Sequence, residues 1–176
     1  MIKFLQDRKI YTEVIRDLVP NAERQLWIAT ADIKDMYVDI GGRKMVPFLQ
    51  VLASLIERGV EVRLIHAKEP GPIFRKDFDR FPVLFEGLER VLCPRVHFKC
   101  IIIDGKIAYL GSANLTGAGM GAKGDTRHNF ENGVITDVRE LVEAQMNQFD
   151  IVWRGAHCSK CGRRQYCPDC PVGPLN

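Results

Sequence analysis

The chain has 176 residues, of which 46% are hydrophobic and 27% charged, and its formal net charge is +3. This length fits one compact domain with a small appendage, and the composition excludes a disordered, collagenous or coiled-coil protein. No apolar run approaches the roughly 18–20 residues of a membrane helix, and the charged start is unlike a secretory signal, so we expect a cytoplasmic protein.

The surplus positive charge lies at the carboxyl end of the chain. Residues 151–176 contain four basic residues and one acidic residue, which accounts for the whole +3 and leaves residues 1–150 formally neutral. Four of the six cysteines lie in the same segment. We therefore predict a main domain of little net charge over residues 1–155 and a basic, cysteine-rich tail over residues 156–176.

Helical and strand patterns alternate through the first 66 residues. Apolar spacing predicts a helix that ends before Pro20, a strand at 26–29, a helix from Pro47 to Gly59 and a strand at 60–65. Helices between strands indicate parallel crossovers. The predicted fold is an α/β protein, an α-β-α sandwich around a mixed, largely parallel sheet.

Two further helical patterns follow. Four aromatic residues recur at helical spacing, although Pro82 interrupts the pattern: Phe74, Phe78, Phe81 and Phe85. We interpret it as a buried face of a helix, with stacking on single-stranded nucleic acid as the alternative. Asp137 and Glu140 predict a capping box before a long amphipathic helix that ends at Gly155.

The densest group of polar side chains surrounds a predicted β-hairpin. Two strand-like segments flank Asp104 and the glycine after it, a pair typical of a two-residue type I′ turn. With that turn, His97 faces Ser112, and strand alternation places Lys99 on the same face. Asn114 lies just beyond. The hairpin therefore gathers an imidazole, an ammonium, a hydroxyl and an amide.

These four side chains suit phosphoryl transfer. An imidazole can act as the nucleophile and form a covalent intermediate. A lysine and neutral donors can stabilise the charge on the phosphate oxygens. Because no carboxylate cluster accompanies them, we expect catalysis without a metal cofactor.

The segment His97-x-Lys99-x4-Asp104-x6-Gly111-Ser112-x-Asn114 resembles the full signature of the phospholipase D superfamily. The stretch 129–132 is similar to the one that supplies that family's acidic partner of the histidine. The resemblance extends over roughly residues 1–155.

The resemblance implies a role for each residue of the motif. His97 attacks phosphorus and becomes a phosphohistidine, while Lys99 and Asn114 clamp the phosphate, with Ser112 in support. Glu131 accepts a hydrogen bond from the other ring nitrogen and fixes the tautomer. The hairpin places Asp104 in the turn, away from the histidine, so we expect Asp104 to have a structural role or to form a salt bridge.

The chemistry needs a nucleophile and a general acid, yet the chain carries one copy of the motif. Of its four histidines, only His97 lies in the motif. Small single-motif members of the family are homodimers, so the resemblance implies a two-fold dimer whose two His97 side chains share one site. The alternative general acid is His128 of the same chain.

A glycine-rich loop follows the motif, over residues 116–128. Lys123 and Arg127 on this loop are candidates for contact with the flanking phosphates of a substrate. The alternative is an ordinary solvated loop.

The tail contains two C-x-x-C pairs separated by five residues: Cys158, Cys161, Cys167 and Cys170. Four thiolates can form a closed tetrahedral zinc site, so we predict structural zinc here. Disulfides and an iron–sulfur cluster are the alternatives, and His157 is a substitute ligand. Cys93 and Cys100 are interpreted as ordinary buried thiols.

The favoured function is hydrolysis of nucleic acid by a small, endonuclease-like phosphodiesterase. A phospholipid or cardiolipin hydrolase, or a phosphatidyl transferase, would use the same covalent chemistry. A non-catalytic nucleic-acid-binding module is the third hypothesis.

Overall fold

The computed structural model describes residues 1–34 and 36–171. These residues form nine strands: β1 (Ile2–Gln6), β2 (Gln25–Thr30), β3 (Tyr37–Asp39), β4 (Met45–Pro47), β5 (Glu61–His66), β6 (Leu88–Leu92), β7 (Lys99–Ile103), β8 (Ile107–Gly111) and β9 (Asn132–Thr136). The α-helices are α1 (Phe48–Glu57), α2 (Pro72–Phe78), α3 (Val83–Gly87) and α4 (Arg139–Trp153). A π-helical segment spans Ile10–Leu18, and 3₁₀ turns span Val19–Asn21, Cys158–Lys160 and Arg164–Tyr166. Within these described ranges, no helix is long and apolar enough to cross a membrane.

Seven strands form one sheet in the order β1-β9-β8-β7-β2-β5-β6, and β3 pairs with β4 separately. Strands β2, β5 and β6 are parallel neighbours, whereas the other neighbours in the sheet are antiparallel. Five of these seven strands therefore run in one direction, and β7 and β9 run against them. The predicted mixed, largely parallel sheet is confirmed.

Helices cover both faces of the sheet. On one face Leu26 and Leu64 belong to the main core, which also takes in α1 and the π-helical segment. On the other face the Trp27 ring stacks on Phe149 of α4, with 5.0 Å between ring centroids. Strand β2 is apolar on both sides because both of its faces are covered. The predicted α-β-α sandwich is confirmed.

The predicted capping box is wrong. Helix α4 begins at Arg139 and has no side-chain cap. The Asp137 carboxylate instead accepts a hydrogen bond from the amino terminus of Met1. Pairing of Ile2 with Thr136 in the β1–β9 ladder brings these two groups together.

The aromatic stripe extends over two short helices and the turn between them. Phe74 in α2 is 4% exposed and packs in the core, with Phe78 and Phe81 partly buried against it. Phe85 in α3 is 62% exposed. The predicted packing is therefore correct for the first three rings, and Pro82 precedes the second helix.

The hairpin register differs from the prediction by one residue. Asp104 and Gly105 have φ of 55° and 64°, as a type I′ turn requires, and the Lys106 amide donates to the Ile103 carbonyl at 2.9 Å. Ile103 nevertheless pairs with Ile107, so Lys106 is an extra residue in the connection. The predicted pairing of His97 with Ser112 is therefore wrong.

Candidate active site

The ends of four strands meet at one edge of the sheet. Thr30 ends β2, Lys99 begins β7, Gly111 ends β8 and Asn132 begins β9. The register pairs Lys99 with Gly111, and Gly111 with Gly133. The residues that precede or follow these strand ends are therefore neighbours, although they lie far apart in sequence.

Lys99 holds the segment that carries His97. The ammonium donates a hydrogen bond to the His97 carbonyl oxygen at 2.7 Å and lies 3.3 Å from ring atom Nδ1. His97 is exposed and Lys99 is half-buried. Nε2 of the histidine has no hydrogen-bond partner among the described residues, so the outer ring nitrogen is open to a substrate.

Ser112, directly after β8, and Glu131, directly before β9, form a second pair. The serine hydroxyl donates to the Glu131 carboxylate and accepts from the Asn132 amide at 3.1 Å. The second carboxylate oxygen accepts from Asn129 Nδ2 at 3.2 Å. Glu131 is anchored further by its backbone amide, which donates to the Asp7 carboxylate at 2.9 Å. The glutamate is thus fixed beside the strand ends.

Backbone amides orient the Asn114 side chain. Its Oδ1 accepts hydrogen bonds from the amides of Ala31 and Asp32, both at 3.2 Å. The Thr30 hydroxyl lies 3.4 Å from the same oxygen. Because the oxygen is committed to the protein, Nδ2 is the atom that remains available, and it can only donate. An anion such as phosphate suits this donor.

Two glycines at the strand ends lie over a buried tyrosine. A Cβ at Gly111 would lie 2.2 Å from the Tyr109 hydroxyl, and a Cβ at Gly133 would lie 2.4 Å from the same ring. Tyr109 is 1% exposed, and its burial raises the pKa of the phenol. A neutral tyrosine therefore forms the floor below the candidate site, which explains the glycine of the motif.

Asp104 follows the other end of β7, about 17 Å from Lys99 at roughly 3.3 Å of strand per residue. Its carboxylate accepts hydrogen bonds from the amides of Glu23, Arg24 and Gln25 at 2.8 to 3.2 Å. Partial burial raises the pKa of Asp104, but these amide bonds and Lys106 outweigh that effect, so the pKa is lowered. These bonds tie the loop before β2 to the hairpin turn, which is the kind of structural role expected from the sequence.

Comparisons with known proteins agree with this geometry. The sequence matches the family described as cardiolipin synthase, PLD-like domain, over residues 15–153. The chain belongs to the phospholipase D superfamily. Members of this superfamily are phosphodiesterases or phosphotransferases, and their chemistry is generally independent of metal ions. No curated protein matches the chain.

Solved structures of the phospholipase D fold resemble the chain closely in shape. Nuc of Salmonella typhimurium, a phospholipase D family member, has a TM-score of 0.64 at 16% identity, over 88% of this chain and 95% of that one. NucT of Helicobacter pylori has a TM-score of 0.61 at 17% identity, over 88% and 97%. Phosphatidylserine synthase of Haemophilus influenzae has a TM-score of 0.58 at 20% identity, over 87% of this chain and 38% of that one.

One expectation from the phospholipase D resemblance is not met within the chain. Among the described residues, no hydrogen bond joins Glu131 to His97, because the Glu131 carboxylate is bound to Ser112 and Asn129. The histidine ring contacts Lys99 instead.

The glycine-rich loop of this phospholipase D domain packs beside the site. A Cβ at Gly119 would lie 2.6 Å from the Asn114 carbonyl oxygen, and the Asn129 amide donates to the Ala118 carbonyl at 2.9 Å. Lys123 and Arg127 are exposed on this loop. Their contact with substrate stays a prediction.

Sequence reasoning missed two residues that hold the phospholipase D site and one exposed ring beside it. Asp7 and Thr30 hold Glu131 and Asn114 from distant parts of the chain. Phe130 is 92% exposed directly beside Glu131, and its ring lies edge-on to His128 at 6.1 Å. The only sequence signal for Phe130 was its position as an aromatic residue inside the polar stretch 129–132.

Four of the six cysteines lie in the tail, after helix α4. All six cysteines are free thiols. Within residues 1–34 and 36–171, no three His, Cys, Asp or Glu side chains are grouped closely enough to hold a metal ion as they lie. The predicted zinc site is therefore not preformed among the described residues.

Proposed function

We propose that the protein is a metal-independent phosphodiesterase that cleaves nucleic acid through a covalent phosphohistidine at His97. One observation carries the proposal: Lys99 Nζ lies 3.3 Å from the exposed His97 ring, at the sheet edge where the Asn114 amide nitrogen is left to donate. A nucleophile beside two donors is the arrangement that attack on a phosphodiester needs.

In the first step, Nε2 of His97 attacks phosphorus, and the bond from phosphorus to the leaving oxygen breaks. The incoming phosphate draws Lys99 Nζ away from Nδ1, and Lys99 and Asn114 offset the charge on the non-bridging oxygens. The leaving oxygen takes a proton from a second imidazole, which we assign to His97 of the partner subunit.

In the second step, water attacks the phosphorus of the phosphohistidine and gives a proton to the same second imidazole. The phosphorus–nitrogen bond breaks, which restores His97 and releases the phosphate-bearing product. The second imidazole is then protonated again for the next cycle.

A two-fold dimer supplies what one chain lacks. His66 is fully buried, the Nδ1 atom of His128 lies 2.7 Å from the carbonyl of the next residue, and His157 lies in the tail. The dimer also gives Glu131 a histidine to orient, because Glu131 makes no hydrogen bond to His97 of its own chain. We assign Glu131 to Nδ1 of the partner's His97.

The decisive test is cleavage of labelled single-stranded DNA and RNA in EDTA. We expect His97→Ala to lower turnover by about a thousandfold or more, because the covalent step is lost. The matched control, His128→Ala, is expected to keep wild-type activity. Activity that survives His97→Ala, or that disappears in EDTA, contradicts the proposed mechanism, and loss in His128→Ala favours a general acid within one chain.

Mixing of subunits tests the shared site. If both His97 side chains are needed, heterodimers of wild type and His97→Ala are inactive. Equal amounts of the two chains are mixed and allowed to exchange subunits. If the site is shared, the mixture keeps about a quarter of the activity of the same total amount of wild type, whereas independent sites would keep about half. Size-exclusion chromatography with light scattering checks that the dimer forms.

An exposed aromatic ring favours nucleic acid as the substrate. Phe130 is 92% exposed beside Glu131, and bases stack on such rings for about 1–3 kcal/mol each. We expect Phe130→Ala to raise KM for single-stranded DNA about tenfold, with little change in kcat. Phe85→Ala removes another exposed ring and is the control. Equal effects of the two variants exclude a specific role for Phe130.

Lipid hydrolysis or phosphatidyl transfer is the second candidate, because phosphatidylserine synthase of the same superfamily shares this fold. Cardiolipin and phosphatidylglycerol vesicles therefore belong in the same screen. Cleavage of vesicles without cleavage of nucleic acid replaces the nuclease proposal. Binding of DNA without any turnover supports a non-catalytic module.

We also propose a structural metal centre in the tail, separate from catalysis. Six free thiols fit a reducing compartment such as the cytoplasm better than a disulfide framework. The sequence favours Cys158, Cys161, Cys167 and Cys170 as the ligands of a zinc ion.

A further inference from the structure

A cavity lies next to the backbone segment that orients Asn114. The Asp32 amide donates to Asn114 Oδ1, and Asp32 lines the cavity together with Ile33 and Lys34. Ile33 forms a bridge with Leu115, and the Lys34 amide donates to the Leu115 carbonyl at 3.0 Å. The cavity has a volume of about 590 Å³, within the usual range of ligand sites. A ligand that is longer than the group held by Asn114 can therefore continue into this cavity.

Three lysines from separate parts of the chain line the cavity. Lys34 follows β2, Lys68 follows β5 and Lys123 lies on the glycine-rich loop. All three are exposed. A lysine ammonium is a compact charge that binds phosphate. The fold therefore offers three positive charges to an anion on one concave surface.

Hydrogen bonds fix the backbone at each of the three lysines. The Lys34 amide is bound as described above. The Lys123 amide donates to the Gly117 carbonyl at 3.1 Å. The Lys68 carbonyl accepts a hydrogen bond from Nδ1 of His66 at 2.7 Å, and His66 is fully buried. The positions of the lysines are therefore set by the fold.

Two carboxylates also line the cavity, and each has a basic partner. Asp32 Oδ2 lies 3.4 Å from Lys34 Nζ. Glu69 is paired with an arginine of α2, at 3.3 Å. Within the part of the chain that the structure describes, the ammonium groups of Lys68 and Lys123 make no ion pair or hydrogen bond. These two charges are therefore available to a ligand.

The other lining side chains are apolar. They belong to Ile33, Pro72, Ile73 and Phe74. Such side chains provide no donor or acceptor for the edges of bases, whereas the lysines suit a phosphate backbone. Recognition in this cavity is therefore expected to be independent of base sequence.

We propose that this cavity binds the phosphodiester groups next to the scissile one, on one side of a nucleic acid strand whose cleaved phosphate lies at His97. The proposal rests on the proposed function and adds the surface that positions the strand. Phosphates repeat along a strand, so a site for one of them is followed by cationic positions for its neighbours. Lys68 and Lys123 contribute more than Lys34, because Lys34 is already paired with Asp32.

Binding of a fluorescent single-stranded oligonucleotide to His97→Ala tests the cavity without turnover. The lysine variant combines Lys34→Gln, Lys68→Gln and Lys123→Gln in this background. We expect it to weaken binding about tenfold or more at low salt. The slope of log Kd against log salt is expected to fall by about 2, because each phosphate contact on a single strand contributes about 0.7. Asp32→Asn removes a repelling charge and is expected to tighten binding about threefold.

The matched control replaces three exposed lysines outside the cavity by glutamine: Lys44, Lys106 and Lys160. It lowers the net charge by the same amount and is expected to stay within about threefold of the parent affinity. Equal losses in the two triple variants would show general charge attraction and overturn the proposal. Unchanged binding of DNA with lost binding of phosphatidylglycerol vesicles would assign the cavity to a membrane surface and also overturn it.

Turnover separates the cavity from the proposed nuclease activity. The three lysine substitutions, with His97 intact, are assayed on single-stranded DNA and on bis(4-nitrophenyl) phosphate, a diester without neighbouring phosphates. We expect KM for DNA to rise about tenfold with little change in kcat, and activity on the small diester to stay at the wild-type value. A matching loss on both substrates would place the lysines in the chemistry and overturn the proposal. Cleavage of the small diester but not of DNA by wild type contradicts the nuclease function, whereas the binding measurement still decides the role of the cavity.

Discussion

The two ends of the β7–β8 hairpin carry residues of the same motif but use them differently. At the edge with His97, polar side chains are exposed and keep atoms available for a substrate. At the turn, Asp104 directs its carboxylate at three backbone amides of the loop before β2. One motif therefore specifies both a chemical site and the scaffold that supports it.

Asn114 and Asp104 show the difference at the level of single atoms. Asn114 binds the protein with its oxygen and leaves a donor group for a ligand. Asp104 has no donor, and both of its carboxylate oxygens accept from backbone amides. We therefore expect changes at Asn114 to alter activity without altering stability, and changes at Asp104 to do the opposite.

Between the two ends of the hairpin motif, the comparison of Asn114 with Asp104 predicts its largest effect for Asn114→Asp. The new side chain keeps an oxygen for the amides of Ala31 and Asp32, so the fold is preserved. It replaces the free NH₂ donor with a second oxygen that repels phosphate, and loss of one such donor costs about 10²–10³ in turnover. Steady-state cleavage and a thermal melt measure the two effects.

The control is Asn21→Asp, which introduces the same charge at an exposed position before β2. It is expected to keep wild-type turnover. If Asn114→Asp lowers the thermal midpoint as strongly as it lowers activity, the side chain is a structural element and the contrast with Asp104 disappears.

The sequence predicted local geometry better than long-range geometry. Strand alternation predicted that the Lys99 side chain lies near His97, its neighbour two positions back in the sequence, and the two are in contact. The predicted position of Ser112 was wrong because it depended on the exact loop length, and Lys106 adds one residue to the connection. No local pattern identifies this extra residue.

Sequence periodicity does not predict contacts between strands that are distant along the chain. Glu131 is held by Asp7 only because β1 pairs with β9. Strand β1 has exposed Ile2 and Phe4 on its edge, so its outward face is not polar and its alternation is hidden. The contacts of Leu92 with Asp169 and Cys167 likewise join residues 75 or more apart, which no spacing rule reveals.

Removal of the Asp104 carboxylate is expected to have the next largest effect, on stability alone. Asp104→Ala leaves the amides of Glu23, Arg24 and Gln25 without their acceptor, and loss of hydrogen bonds to a charged group costs about 2 kcal/mol. Urea unfolding measures this loss, with Asp79→Ala, at an exposed aspartate, as the control. Turnover per folded molecule is expected to stay at the wild-type value; a drop comparable to that of Asn114→Asp would place Asp104 in the chemistry.

The smallest expected effect is the response of the turn to acid. The pKa of Asp104 is lowered in the folded protein by amide hydrogen bonds that outweigh the cost of partial burial. A carboxyl group of this kind stabilises the fold above its unfolded pKa of about 3.9, and the contribution is lost as pH falls through the lower folded value.

Comparison of wild type with Asp104→Asn isolates this contribution, because Asp17 and Asp137, whose pKa values are also lowered, are present in both proteins. We expect the difference in unfolding free energy to be constant from pH 7 to about 5 and to shrink below pH 4. A difference that stays constant down to pH 3 would mean that the carboxylate charge does not contribute, and that a neutral acceptor serves the three amides equally well.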